Sequence, residues 1–397
     1  MKKKIIIQKF GGTSLQDDKT RLKSARFVKQ KFDSGFIPVV VVSAMGREGA
    51  PYATDTLLKL AKEIEPEINP REKDLLMSCG EIISAVVFVQ TLQKLGLKAI
   101  ALTGAQAGII TDGNFGSARI RKVMTDNLLQ IILQETIPVV TGFQGMNENG
   151  EITTFGRGGS DTTASVLAVA LQAEEIEIYT DVEGILSADP KNIKKTSTIK
   201  IASYEEAVEL AEKGAKVIHP RAVEIAASEN IPIKILSTFT GINGTIIKNI
   251  KSDRPITGIT SKENIIFFRI EPTIIDSRTA GLNIFQLLAE NSISADFIDI
   301  RPESISFIID EENRQNALQI LEKNNFLYMI KEGLVKVSAV GSGMTGVPGI
   351  MAKIVSALTS QEIEILECTD SRTTISCLIK SEEKIKAIKA LHDIFEL

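Results

Sequence analysis

A glycine-rich segment near the start of the sequence carries residues that suit phosphate chemistry. Residues 9–14 read KFGGTS and follow a short apolar run. Gly11 and Gly12 would let backbone N–H groups approach phosphate oxygens closely, and Lys9 could neutralise charge that moves between two phosphates. The spacing differs from that of the Walker motif. A plain tight turn also explains two adjacent glycines, so the adjoining lysine is what favours a phosphate site.

A second segment combines an arginine with three glycines. Residues 154–163 read TFGRGGSDTT and precede an apolar helical stretch. The guanidinium of Arg157 suits a carboxylate because it can donate two parallel hydrogen bonds. Ser160 and Asp161 fall where the helix would begin, and helix capping alone would explain both. Capping does not require an arginine between glycines, so the pattern predicts an anion-binding loop.

A third segment places polar groups straight after an apolar strand. Residues 179–191 read YTDVEGILSADPK. Thr180 and Asp181 could hold a nucleotide there, while Lys191 reaches a phosphate or ribose. A turn with solvated charges is the alternative for the second half of this segment.

A fourth segment puts an acidic residue in apolar surroundings. Residues 74–81 read DLLMSCGE, on a stretch that otherwise has the pattern of a buried helix. Glu81 needs a partner there, and both a substrate ammonium and a salt bridge to an internal arginine remain open. Ser43 and Thr54, after the second apolar run, could also face the substrate.

The supply of general bases is small. The sequence has two histidines, and no Ser-His-Asp or Cys-His set can be assembled. Phosphorylation of a carboxylate needs none, because that nucleophile is ionised at neutral pH and requires only positioning and charge stabilisation. Residues 214–220 read GAKVIHP and offer a further lysine, Lys216, although a single surface lysine is normally just solvated.

Parallel α/β architecture over roughly the first 250 residues would position these groups. The predicted strands are continuously apolar or nearly so, as expected for strands covered on both faces, and amphipathic helical stretches lie between them. They are residues 5–7, 39–42, 99–102, 137–140 and 176–179. Ligands gather at the carboxyl ends of such strands, so we expect the site there.

The remaining residues contain an internal repeat offset by 70 positions. The strand at 305–309 aligns with 375–379, and the helix positions Ala317 and Leu321 align with Ala387 and Leu391. Each unit reads strand, loop, helix, strand, strand, helix, which predicts two ferredoxin-like α+β units. Two packed modules without a ligand would have the same pattern.

Composition favours small-molecule chemistry. The 397 residues include 43% hydrophobic and 24% charged residues, with a formal net charge of −4, which argues against nucleic acid or an anionic membrane as an obligate partner. We find no run long enough for a signal-peptide core or a bilayer span. The three cysteines form no C-x-x-C pair and fit a reducing compartment. We therefore expect a cytoplasmic protein with no membrane partner.

These motifs, together with VSAMG at 42–46, resemble those of the aspartokinases. The resemblance holds in the same order and over the whole chain. The repeat likewise resembles the paired ACT domains of that family. The resemblance implies an amino-acid-kinase fold, an open mostly parallel sheet between helical layers, followed by two ACT units. It implies a catalytic domain at 1–250, a linker at 251–262, and ACT domains at 263–330 and 331–397.

The resemblance also implies roles for individual residues. Catalytic roles would fall on Lys9, Lys216, Arg157 and Asp161. ATP would be held by Lys9, Phe10, Gly11, Gly12, Thr180, Asp181, Leu186, Lys191 and Lys216. Aspartate would be held by Ser43, Thr54, Glu81, Arg157, Ser160 and Asp161. Mg²⁺ would bridge the phosphates, with no protein residue assigned to it.

The implied activity is ATP-dependent phosphorylation of the side-chain carboxylate of L-aspartate to 4-phospho-L-aspartate. This is the first step towards lysine, threonine, methionine and diaminopimelate, and the family is regulated by end products (lysine, threonine or diaminopimelate) at ACT interfaces of dimers or tetramers. One departure is that 344–350 contains a Pro-Gly turn before the helix, which 277–282 lacks. A related kinase for another acidic amino acid or a nucleotide monophosphate, or a non-catalytic amino-acid sensor, are the alternatives.

Overall fold

The chain folds into two compact units. The computed structural model describes residues 4–193, 195–212, 217–240, 243–250, 254–271, 277–301 and 303–397. Unit 1 comprises Met1–Leu186 and Thr198–Ser252, and unit 2 comprises Ser187–Ser197 and Asp253–Leu397. The segment Ser187–Ser197, which the sequence analysis includes in the first domain, thus groups with the second unit.

Unit 1 alternates strands with helices, as the apolar pattern predicts. Its strands are β1 (Lys4–Phe10), β2 (Phe36–Val42), β3 (Ala99–Leu102), β4 (Ile109–Thr111), β5 (Ile120–Val123), β6 (Ile137–Thr141), β7 (Gln144–Met146), β8 (Ile152–Thr154), β9 (Glu175–Thr180), β10 (Ile201–Ala202), β11 (Ile233–Ser237) and β12 (Asn243–Ile247). Its helices are α1 (Gly12–Leu15), α2 (Asp18–Asp33), α3 (Thr54–Lys62), α4 (Pro70–Lys94), α5 (Asp126–Leu133), α6 (Gly159–Leu171), α7 (Tyr204–Glu212) and α8 (Pro220–Ser228).

The main sheet of unit 1 has eight strands in the order β10-β12-β11-β9-β1-β2-β6-β3. Its pairings are parallel except that of β11 with β12. The central strands are buried along almost their whole length, because helices cover both faces of a parallel sheet. A separate four-stranded sheet has the order β5-β4-β7-β8. The parallel α/β prediction is confirmed.

Helix α4 departs from one expectation. It is long and apolar enough, by length and composition alone, to cross a membrane, whereas the sequence analysis finds no such run. Its side chains at Asp74 and Glu81 are buried inside unit 1, as are Phe88 and Leu92 on later turns. A helix that buries carboxylates and phenyl rings in the same unit has the pattern of a core helix.

Unit 2 is built on one six-stranded antiparallel sheet in the order β14-β15-β13-β16-β18-β17. Its strands are β13 (Gly258–Glu271), β14 (Asp296–Ile300), β15 (Ile305–Asp310), β16 (Leu327–Val340), β17 (Glu367–Asp370) and β18 (Thr374–Lys380), and its helices are α9 (Ser277–Glu290), α10 (Arg314–Lys323), α11 (Ile350–Thr359) and α12 (Lys384–Ile394). The two halves have the same element order, which confirms the predicted repeat.

The repeated units share their longest strands. β13 and β16 have 14 residues each and pair from Gly258 opposite Val340 to Glu271 opposite Leu327. Each half packs its own helices into a separate apolar core. Because each long strand pairs with strands of both halves, neither half completes its sheet alone.

Truncation of one repeated core position should destabilise unit 2. Leu321 on α10 is 1% exposed, and Leu321→Ala should cost roughly 2–5 kcal/mol of unfolding free energy because it leaves a cavity. Leu327→Ala is the control, since Leu327 is 59% exposed and its truncation should cost less than about 0.5 kcal/mol. Urea unfolding followed by circular dichroism measures both, and equal costs would contradict the assigned core.

Candidate active site

Three central strands end in register at one edge of the main sheet. Phe10, the last residue of β1, lies opposite Val42 of β2 and Tyr179 of β9. Gly11 N donates to Tyr179 O at 3.2 Å, and Ser43 N donates to Phe10 O at 3.1 Å. The loops after the three strands therefore begin side by side, where the sequence analysis expects the site.

A cavity of about 920 Å³ opens among these loops within unit 1. It is formed by the ends of β1 and β2, one face of α4 and the glycine-rich turn before α6. The predicted site residues that line it are Lys9, Gly12, Ser43, Thr54, Glu81, Arg157, Ser160 and Asp161. The structure thus brings together, in one cavity, residues that lie up to 152 positions apart (9 to 161) in the sequence.

A lysine and an aspartate form an ion pair on the cavity wall. Lys9 Nζ lies 2.7 Å from Asp161 Oδ1, and their side chains are 12% and 11% exposed. Asp161 belongs to the first turn of α6, where the positive end of the helix dipole favours a negative charge. Partial burial strengthens the pair, so Lys9 is held with its ammonium at the cavity surface.

The loop after β1 packs directly against the loop after β2. A Cβ atom at Gly12 would lie 2.5 Å from Gly46 O and 2.6 Å from Ala44 O. Gly46 N also donates to Gly12 O at 3.0 Å. Any larger residue at position 12 would push the two loops apart, so this glycine is needed for close backbone approach.

The turn that carries Arg157 also depends on a glycine. Gly158 has a φ of +69°, and a Cβ there would lie 2.2 Å from Cγ of His219. Gly156 is left-handed too, with a φ of +73°. The two glycines turn the chain so that Arg157, which is exposed, lines the cavity.

Glu81 is a buried carboxyl with one oxygen unsatisfied. It is 3% exposed, and its Oε1 accepts a hydrogen bond from Ala44 N at 3.1 Å. Oε2 has no hydrogen-bond partner within the described part of the chain. Burial raises the pKa of Glu81 to about 8, because charge is disfavoured away from water. A cation that entered the cavity would complete its coordination.

The predicted nucleotide residues are more scattered. Thr180 Oγ1 donates to Asp181 Oδ1 at 3.2 Å, and the Asp181 carboxylate pairs with the guanidinium of Arg47, which lines the cavity. Asp181 is therefore linked to the site through Arg47.

Four other predicted nucleotide residues do not line this cavity. Phe10 is fully buried, with its ring centroid 4.7 Å from that of Tyr179, so only its backbone could reach a ligand. Gly11 uses its N–H on Tyr179. Leu186 forms a β-bridge with Thr198, and Lys191 is exposed in a turn of unit 2. Lys216 lies outside the described residues.

Some cavity residues were not identified from the sequence. Arg47, Lys73, Met77 and Phe143 line the cavity, yet no role was assigned to them. Helical spacing could have found two of them, because positions 73, 77 and 81 follow one another at intervals of four on α4. Arg47 directly follows the VSAMG segment at 42–46.

The cavity can bind an anion and a cation together. Lys9, Arg157 and the start of α6 favour anionic groups, while Glu81 and Asp161 favour an ammonium. Among the residues that the structure describes, no three His, Cys, Asp or Glu side chains lie close enough to hold a metal ion. A small zwitterion beside a polyphosphate fits this distribution of charge.

Known proteins resemble the chain over its whole length. The model of the amino acid kinase family matches residues 4–237, and an ACT domain model matches 329–393. Aspartokinase 1 of Bacillus subtilis is 44% identical over 402 residues, which is 99% of each chain. The aspartokinase of Geobacillus stearothermophilus is 39% identical over 99% of this chain and 97% of its own.

Solved structures resemble the fold as well. E. coli aspartokinase III in complex with aspartate and ADP has a TM-score of 0.81 at 25% identity, covering 99% of this chain and 100% of that one. The same enzyme in complex with lysine and aspartate has a TM-score of 0.75 at 26% identity, covering 98% and 99%.

The raised pKa of Glu81 should make stability depend on pH. Between pH 4.5 and about 8 the folded chain keeps the Glu81 proton that the unfolded chain has lost, so this residue lowers stability as pH rises. Glu81→Gln lacks the effect, and its stability relative to the parent should increase from pH 5 to pH 9. Urea unfolding at several pH values measures it.

The matched control is Glu63→Gln, because Glu63 is exposed on the surface of the same unit. Its stability relative to the parent should stay constant over the same pH range. A constant difference for Glu81→Gln as well would contradict the burial of that carboxyl.

Proposed function

The chain belongs to the aspartokinases of the amino acid kinase family, and on that premise we propose that it transfers the γ-phosphoryl group of ATP to the side-chain carboxylate of L-aspartate. The products are ADP and 4-phospho-L-aspartate. The observation that carries the proposal is the unsatisfied buried carboxyl of Glu81 in the same cavity as Lys9 and Arg157. Aspartate supplies an ammonium for Glu81 and an α-carboxylate for Arg157, while Lys9 faces the phosphoryl group that is transferred.

The amino acid would be oriented by its α-substituents. The guanidinium of Arg157 pairs with the α-carboxylate through two hydrogen bonds, while Glu81 and Asp161 receive the ammonium. Ser43, Thr54 and Ser160 line the same cavity and help to hold the rest of the substrate. An approaching ammonium favours the charged form of Glu81, so its pKa falls on binding.

Charge stabilisation does the remaining work. The β-carboxylate is already ionised at neutral pH, so no base has to remove a proton. Lys9 neutralises charge that develops on the phosphoryl oxygens, and Asp161 holds its ammonium in place. We assign Lys216 the same duty from the family resemblance.

The nucleotide would bind along the loops after β1 and β9. Gly11 and Gly12 would face the phosphates, and the remainder of the nucleotide would be held by Thr180, Asp181, Leu186 and Lys191. The ADP complex of E. coli aspartokinase III supports the binding of a nucleotide. Mg²⁺ that arrives with ATP would supply further charge neutralisation. Phosphate oxygens and water would be its main ligands, as is common for this ion, and no cage of protein side chains is required.

Unit 2 would make the activity respond to end products. Its ACT match and the lysine complex of E. coli aspartokinase III support the binding of an amino acid effector. We propose lysine, threonine or diaminopimelate as that effector. The reaction would then begin the synthesis of lysine, threonine and methionine in the cytoplasm. We propose a dimer or tetramer, because such ACT units usually pair across subunits.

The test is the appearance of an acyl phosphate that hydroxylamine traps as aspartyl hydroxamate. ADP release with aspartate, glutamate or a nucleoside monophosphate compares the substrates. Lysine, threonine and diaminopimelate are then added in turn to the aspartate reaction. Absence of hydroxamate with aspartate would overturn the proposal, and inhibition by one end product would identify the effector.

Replacement of Lys9 should abolish turnover. Lys9→Ala removes the positive charge that faces the phosphoryl group, so kcat should fall at least about 100-fold in the hydroxamate assay. Lys19→Ala is the control, because Lys19 is an exposed lysine on α2. A rate for Lys9→Ala near that of the parent would exclude this role.

Replacement of the Arg157 guanidinium by an ammonium should weaken aspartate binding more than ATP binding. Arg157→Lys keeps the charge but loses the second parallel hydrogen bond, so the KM for aspartate should rise about 10-fold or more. The KM for ATP should change less than about threefold. Equal increases in both constants would indicate that Arg157 does not contact the amino acid.

A further inference from the structure

Asp74 is a second carboxyl on α4 and is more deeply buried than Glu81. It accepts hydrogen bonds from two segments that adjoin the cavity. Asp74 is 0% exposed. Its Oδ2 accepts from Gly116 N at 2.9 Å and from Thr154 N at 2.8 Å, and its Oδ1 accepts from Thr154 Oγ1 at 2.8 Å. Both carboxyl oxygens of Asp74 are thus hydrogen-bonded.

These three bonds join three separate parts of unit 1. Asp74 lies on α4, Gly116 lies in the loop between β4 and β5, and Thr154 ends β8. Thr154 O in turn accepts from Ala118 N at 2.9 Å, so the loop and the strand are also tied to each other. The carboxyl of Asp74 is the point at which helix, loop and strand meet.

Each of these parts carries a wall of the cavity. Gly116 itself lines it, and Thr154 is followed two and three residues later by Gly156 and Arg157, which also line it. A Cβ at Gly156 would lie 3.2 Å from Gly116 O, so the turn and the loop are closely packed. A shift of Thr154 would therefore move the turn that presents Arg157.

On the helix side, Asp74 and Glu81 are seven residues apart. Two turns of helix place both side chains on one face, about 10 Å apart along the axis. Because α4 is a rigid element, fixing Asp74 against Thr154 also fixes Glu81 relative to the turn that carries Arg157. Arg157 and Glu81 line the same cavity.

We propose that Asp74 is a positioning residue that sets the separation of Arg157 and Glu81 to match the α-carboxylate and ammonium of the amino acid substrate. The proposal rests on the function proposed above and extends it. Asp74 is buried behind the cavity wall and does not touch the substrate. It holds none of the residues of the loop after β1, so its loss should affect the amino acid and leave the nucleotide largely unaffected.

The experiment compares KM values for aspartate and ATP in Asp74→Ala and in the parent. Alanine removes all three acceptor contacts and leaves Gly116 N, Thr154 N and Thr154 Oγ1 without this partner. We expect the KM for aspartate to rise at least about 10-fold, with the KM for ATP within about threefold of the parent. Calorimetric titration with L-aspartate should show a matching loss of affinity.

The matched control is Asn147→Ala. Asn147 is 6% exposed and its Oδ1 also accepts two backbone N–H bonds, from Asn149 at 3.1 Å and Glu151 at 2.9 Å, but within the turn between β7 and β8. Its loss should lower the thermal midpoint and leave both KM values unchanged. That contrast separates positioning from a general loss of stability.

Thr154→Val is the milder variant, because it removes one of the three bonds and keeps both backbone N–H bonds. It should raise the KM for aspartate about threefold, and it keeps the test open if Asp74→Ala does not fold. An unchanged aspartate KM in a folded variant, with only the thermal midpoint lowered, would overturn the inference. Failure of the function itself would be seen in the parent, as absence of aspartyl hydroxamate.

Discussion

The parallel pairing of β1 with β2 and with β9 is the constraint on which the site depends. These strands are mostly buried, and the polar side chains that β1 and β9 bury, Gln8, Glu177 and Tyr179, hydrogen-bond to one another. The polar residues of the site follow at the carboxyl ends, where the pairing of Phe10 with Val42 and Tyr179 brings three loops to one level. Apolar burial of the strands and the placement of the chemistry are thus consequences of the same arrangement.

The burial of ionisable groups is the second constraint, and the site accommodates them in two different ways. Lys9 and Asp161 form an ion pair at 2.7 Å, which holds the lysine at the cavity without a ligand. Glu81 is satisfied on one oxygen only, and an unsatisfied buried acceptor costs about 1–3 kcal/mol. A bound ammonium would donate a hydrogen bond to this oxygen and remove the cost. Glu81 therefore favours an ammonium as its ligand.

Unit 2 is built differently, because one small fold occurs in it twice. The two copies are joined through their longest strands, β13 and β16. This pairing joins the two halves in a single sheet. The segment Ser187–Ser197 joins this unit as well. Ser187 Oγ lies 3.0 Å from Nε2 of His392, whose pKa is lowered by burial, and Ala188 belongs to the apolar core formed with α11 and α12. The stretch that follows Leu186 is in this way structurally part of the unit that carries the ACT match.

The sequence by itself determined the fold class, the repeat and the chemical character of the site. Apolar runs such as 39–42 specify buried strands through composition alone, and the offset of 70 positions is a property of the residues in order. Glycines that flank Arg157 specify a turn by their backbone freedom.

Tertiary structure alone decided which distant groups meet. Three examples are the ion pair of Lys9 with Asp161, the grouping of Ser187–Ser197 with unit 2, and the three hydrogen bonds of Asp74. The residues involved have no periodic spacing in the sequence, so their contacts depend on how the elements pack. Helical spacing could have placed Lys73 and Met77 beside Glu81, but the partners of a buried carboxyl are set by packing, because burial is a property of the folded chain.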